Sequence, residues 1–337
     1  VRQTDFERRG EARWRRFEAL LRRADQARGD GLLRRGLPRE AADLPREYRA
    51  ICRDLSLAID RRYSPRLLDR LNELALGGHR VLYARRAELG RRALAFFAYG
   101  FPRRVRALVG FVVLATALFV VPAVALFATV TERPDLVYSV FSFDQVAGFE
   151  AMYDPAAEHL GTDRESSGDW AMFGLYVWNN VGVAFRCFAL GLFLGVGSAI
   201  ALVFNGLILG ALAAHMLHLG FAHTFFPFVI GHGAFELTAI VLSGAAGLRL
   251  GHAIWAPGAR TRLEALRIAV AEAMDVVYGV VPMLVVAAVL EAFWSSKASL
   301  PVGLKLGVGG ALWAIVLAYL VGAGRWRADR EEHAGGA

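Results

Sequence analysis

The sequence predicts an all-α fold: a polytopic transmembrane helical bundle of about six spans behind an N-terminal cytoplasmic helical domain. Three observations carry this reading. Apolar residues make up 55% of the 337-residue chain and, after position 106, fall in long uninterrupted blocks, a distribution that soluble domains avoid. Charge is segregated: residues 1–106 hold 27 Lys and Arg against 14 Asp and Glu, residues 131–180 hold 2 against 9, and residues 181–337 hold 10 against 8. The third observation is residues 231–251, long and apolar enough to cross a bilayer as one helix.

That stretch organises the rest. It places His232 and Glu236 one turn apart on a single face. A charged side chain at membrane depth costs roughly 3 kcal/mol unless it is neutralised, paired or faces a polar cavity. Further along, Ser243, Gly247 and Gly251 recur every four residues and form a groove for a close neighbour. This is the pattern of a bundle-interior helix.

In chain order, Thr4 and Glu7 fit a capping box, and Phe6, Trp14, Phe17 and Leu21 mark the apolar face of a first helix ending near residue 28. Leu44, Tyr48, Ile51, Leu55 and Ile59 give a second helix by their three- and four-residue steps. Ser64-Pro65 supplies an N-cap and an N1 proline for a third. Gly77-Gly78 is expected to break that helix before a basic one runs through residue 97. Residues 1–106 form the basic cytoplasmic domain, whose arginines read as a solvated surface beside the membrane. The first thirty residues are Arg-rich without an apolar core, so no secretory leader is expected there.

Arg103, Arg104 and Arg106 precede the first span, residues 107–130, and hold the N-terminus inside. Residues 131–180 follow on the far side, with a short helix over 144–153 and an acidic loop over 154–169. Residues 170–186 are amphipathic and aromatic: they lie along the interface or line a polar crevice. Further spans are expected at 187–204, 206–220, 228–250, 268–293 and 304–323, with Asn205-Gly206 as a tight connection. The basic loop at Arg260, Arg262 and Arg267 and the tail at 326–337 then fall on the cytoplasmic side. Six crossings of the 107–325 domain satisfy every basic cluster, with both termini in the cytoplasm of an inner membrane.

Several polar residues stand where a membrane protein avoids them: Asn179, Asn180, Arg186, Asn205, His232, Glu236, Glu272, Asp275 and Glu291. Arg186, His232, Glu236 and Glu291 are expected near the outer side, where one arginine and two carboxylates neutralise each other or hold a substrate or ion. Glu236 is expected to pair with His232 or Arg186. No catalytic residue, cofactor or metal ligand is assigned, because His232 and Glu236 lack the second histidine of a zinc-hydrolase helix. Cys52 and Cys187 fall in different compartments, which implies no disulfide framework. The segregated charge argues for sidedness in a lipid bilayer and against nucleic acid. Gly191, Gly195, Gly206, Gly210, Ser243, Gly247 and Gly251 are the helix-packing residues. Such seams serve within one chain or between copies, so a homo-oligomer is among the partners the sequence admits.

Residues 176–191 (YVWNNVGVAFRCFALG), 204–210 (FNGLILG), 231–237 (GHGAFEL), 243–248 (SGAAGL), Pro257-Gly258 with Arg262, and 290–295 (LEAFWS) resemble the stage II sporulation protein M family in order. The named member of that family is an integral membrane component of a septal peptidoglycan-remodelling machine, where it anchors wall hydrolases. The resemblance therefore implies a non-enzymatic scaffold coupling cytoplasmic partners to cell-envelope proteins. The high Arg and Ala content suits a GC-rich genome, and the resemblance extends to members from non-sporulating bacteria. The alternative is a transporter, channel or flippase acting through Arg186, His232, Glu236 and Glu291.

Overall fold

The computed structural model describes residues 2–29, 43–156, 168–297 and 299–325. The chain divides into two compact units, Val1–Ala95 and Phe96–Ala337. No strand occurs among the described residues.

In the first unit, α1 (Gln3–Gly29), α2 (Leu44–Asp60) and α3 (Pro65–Ala95) enclose Trp14, Phe17, Ile51 and Leu71, all fully buried. Asp54 is buried beside them. Its Oδ2 accepts from Trp14 Nε1 at 2.8 Å and pairs with Arg13, which offsets the cost of removing a carboxylate from water. Arg70 holds Glu11 through two hydrogen bonds of 2.7 and 3.1 Å and stands 5.6 Å over the Trp14 ring.

Two local expectations fail here. Thr4 lies inside α1, so it caps nothing; Gln3 instead donates to Ser64 Oγ at 2.7 Å and accepts from the Ser64 amide at 3.0 Å. Gly77 and Gly78 do not break α3. A Cβ on Gly78 would stand 2.7 Å from Phe17 and 2.6 Å from Tyr48, so glycine lets α3 approach its neighbours. Close packing there offsets the roughly 1 kcal/mol that glycine costs a helix interior.

The second unit contains α4 (Phe101–Ala107), α5 (Val109–Glu132), α6 (Phe143–Tyr153), α7 (Gly168–Ala189), α8 (Val196–His218), α9 (Ala222–Trp255), α10 (Arg262–Leu290) and α11 (Val302–Gly322). Among the described residues, five helices are long and apolar enough to cross a membrane: α5, α8, α9, α10 with the turn that follows it, and α11. Capping boxes start α6 (Ser142 with Gln145) and α10 (Thr261 with Glu264). The centre is α9, whose apolar window is 61% buried, against 17% in α5 and 22% in α11. The latter two therefore turn most of their apolar surface outward.

Register follows from the glycines. A side chain on Gly206 would strike the Phe119 carbonyl, and one on Gly210 the Ala123 carbonyl, so α8 runs parallel to α5. The chain between them must therefore return along the bundle, and α7 makes that return. The reversal lies at Leu190–Leu192 and the residues after it, where Leu194 (φ 57) and Gly195 (φ 81) adopt left-handed backbone. This corrects the expected spans at 187–204 and 206–220. Asn205 and Gly206 are mid-helix; Asn205 Nδ2 donates to the Ala201 carbonyl at 2.8 Å. Most of the acidic loop at 154–169, and the tail beyond Arg325, lie outside the described residues.

Candidate functional site

The end of the bundle where α10 stops and α11 begins gathers polar side chains from several elements. His232 and Glu236 come from α9, one turn apart. Glu291 comes from a π-helical turn, Glu291–Ser295, that closes α10. The ligating atoms of these three residues all lie within 4.8 Å of one another. Ser295 Oγ lies 3.3 Å from His232 Nδ1, and the Ser295 carbonyl accepts from the buried Lys305 Nζ at 2.8 Å. One turn thus ties α9, α10 and α11 together.

Tyr153, from α6, stands over this group. Its ring meets Phe225 and Phe228 edge-on, with centroids 4.9 and 5.5 Å away, and Phe228 in turn packs against His232 at 5.3 Å. Thr224 Oγ1 donates to the Tyr153 carbonyl at 2.7 Å. Burial pushes the Tyr153 phenol well above its ordinary pKa, and the negative charge of Glu291, with smaller contributions from Tyr176 and Glu236, pushes the same way. No ion pair reaches Glu236 among the described residues.

The opposite end of the bundle holds a different arrangement. Arg104 Nε donates to Asp275 at 3.0 Å, Arg249 Nε donates to Glu272 at 2.9 Å, and Arg104 lies 3.9 Å from Glu272. Two guanidinium groups meet two carboxylates, and the set is neutral as a whole.

Residues 91–296, more than half of the chain, match the family model described as Stage II sporulation protein M. The chain belongs to the stage II sporulation protein M family. The matched window contains both polar groups apart from Lys305. Residues 4–84, within the first unit, match a model described as a domain of unknown function (DUF8413). No curated protein and no solved structure matches.

In this family member the predicted polar residues separate into distinct places. His232, Glu236 and Glu291 come together. Arg186 does not join them: it is exposed, and the neighbouring Cys187 carbonyl lies against Gly247. Gly247 is eleven residues along α9 from Glu236, about 16 Å at helical rise. Of the two expected partners of Glu236, His232 is close and Arg186 is not. Glu272 and Asp275 meet Arg249 and Arg104, neither of which the sequence reading singled out as a partner. Asn179 Nδ2 donates to Asn180 Oδ1 at 3.2 Å, while Asn180 is buried with its own Nδ2 lacking an acceptor among the described residues. Asn205 bonds back to its own helix and also donates to Cys187 Sγ of α7 at 3.9 Å. A further pair went unanticipated: His215 Nε2 lies 2.8 Å from Glu150 and links α8 to α6.

The small residues sit at backbone contacts. Side chains on Gly191 or Gly251 would collide with the backbone of Gly247 or Gly195 respectively, and one on Gly247 would strike Ser198. Ser198 is itself held by a hydrogen bond to the Cys187 carbonyl. Ser243 is buried on the same helix.

Proposed function

We infer that this chain is a multi-pass scaffold of a bacterial inner membrane, coupling cytoplasmic partners to proteins that build or remodel the envelope. The observation that carries the reading is the paired network of Arg104, Arg249, Glu272 and Asp275. Charges that satisfy one another inside a bundle fasten helices and leave little for a passing solute. The glycine contacts of α9 with the 190–195 turn argue in the same direction, since backbones this close resist the rocking that alternating access needs.

The topology belongs to this reading: six crossings with both termini in the cytoplasm. It is supported by the parallel course of α5 and α8, which requires a return through α7. The ends bearing Arg104, Arg106 and Arg249 also gather on one side, as the positive-inside rule asks. The His232, Glu236 and Glu291 end then faces outward.

Cross-linking in native membranes followed by purification tests the scaffold. A recurrent wall enzyme or a cytoplasmic ATPase bound to the chain is the expected result; a chain recovered alone after cross-linking sinks it. The transporter reading keeps one observation in its favour, the group around Glu236. It predicts that Glu236→Gln folds normally yet abolishes function, whereas a scaffold tolerates that change.

A further inference from the structure

We propose that His232, Glu236 and Glu291 form a binding site for a divalent transition-metal ion of the zinc class, tying α9 to the end of α10. The inference does not depend on the scaffold reading. It concerns what completes this group of side chains, whatever the bundle carries.

Geometry is the first support. Metal–ligand bonds to histidine nitrogen and carboxylate oxygen of about 2.1 Å place neighbouring ligands roughly 3.4 Å apart in a tetrahedron. Ligand atoms already within 4.8 Å of one another reach that spacing by small side-chain rotations. The sequence pairs His232 with Glu236 on one helix and expects Glu291 on the same side of the bundle. The fold supplies the third ligand from the other helix, 55 residues away in the chain.

Charge is the second. Two carboxylates brought together inside a bundle favour a cation placed between them, which lowers the cost of keeping such a group out of water. Glu236 has no ion-pair partner among the described residues, and the Lys305 ammonium donates to a backbone carbonyl. Nitrogen with two carboxylate oxygens is a donor set that suits zinc or manganese better than magnesium or calcium.

The surroundings are the third. Ligating histidines are ordinarily held by a second hydrogen bond that fixes the ring. The His232 ring has such a partner in Ser295 Oγ, 3.3 Å from Nδ1. Glu291 opens a π-helical turn, a rare feature that occurs mostly at functional sites because it re-aims side chains out of helical phase. Here that turn carries both a ligand and the residue that orients another.

The test uses the full chain in detergent, stripped with a chelator, dialysed and titrated with zinc. Bound metal is read by elemental analysis and affinity by calorimetry. Wild type should take up about one zinc per chain. His232→Ala and Glu291→Ala should lose it, and Ser295→Ala should weaken it about tenfold through the freed ring. Arg186→Gln, His218→Ala and His223→Ala should bind as wild type does. If the ligand variants do not fold, wild type alone decides: zinc must raise its thermal midpoint where magnesium does not. The proposal is overturned if stripped wild type binds neither zinc nor manganese. Uptake that follows His218 or His223 instead of His232 and Glu291 overturns it as well.

Discussion

Gly191 and Gly247 meet backbone to backbone, with the Gly247 carbonyl oxygen standing where a Gly191 side chain would project. Only main chain lies in the way of a methyl group on Gly191, and one on Gly247 meets Ser198 Oγ and the Cys187 and Phe188 carbonyls. Gly191→Ala and Gly247→Ala should each destabilise the bundle by about 1–3 kcal/mol, the range for overpacking a tight interior. Gly174→Ala, where a Cβ meets nothing within 4 Å, is the control. Thermal unfolding in one detergent compares the three; equal midpoints would mean the contact relaxes freely.

The Arg249–Glu272 bond predicts an asymmetry. Breaking a fully buried pair from one side costs about 3–5 kcal/mol. These side chains are 19% and 24% exposed, so screening reduces the cost of Arg249→Met to about 2 kcal/mol. Adding Glu272→Leu to it should restore much of the loss, since Glu272 is then no longer left with Arg104 alone at 3.9 Å, and Arg104 keeps Asp275. A double-mutant cycle on thermal stability measures this, and strict additivity would refute the pairing.

Acid should loosen the first unit through Glu11. Its carboxyl is held far below the usual range, at about 2, first by the hydrogen bond from Arg70 and then by that from Arg15. A depressed value in the folded state stabilises above the ordinary value of 4.5 and loses that contribution as pH falls from there through about 2. Glu11→Gln should therefore lower protection of α1 amides at pH 7 and flatten its dependence on pH in this window. Hydrogen exchange on the full-length protein gives the readout.

Sidedness is open to labelling. In a chain with Cys52 and Cys187 replaced by serine, a single cysteine at Ser142 should react with a membrane-impermeant maleimide on intact spheroplasts. One at Arg260 should react only after lysis. Labelling of position 260 from outside would reverse the proposed topology.

Much of the fold was legible because apolar blocks and helix-start signals are local. Ser64-Pro65 does precede α3, and the short helix near 144–153 is α6, with its cap at Ser142. What escaped depended on depth and on partners distant in sequence. Asn205-Gly206 reads equally as a turn or as a close contact, and only the path of α5 decides between them. Misplacing that turn put Arg186 at the wrong end of the bundle, because a residue's depth follows from where its helix reverses. His232 and Glu236 were visible as a pair, since both lie on one helix. Glu291 is readable from the sequence as lying on the same side, but its close approach to them comes through the π-helical turn, and Arg104 meets Asp275 across 171 positions of chain. No periodicity records such meetings.

The left-handed reversal at Leu194 and Gly195 also sets an order of assembly. The bend has no room for side chains because α9 closes over it: Gly247 meets Gly191, and Gly251 meets Gly195, backbone to backbone. Ribosomes release α7 and α8 before α9 exists. The α7–α8 hairpin is thus made before the surface its bend packs on, and the contact closes only once the central helix is in place.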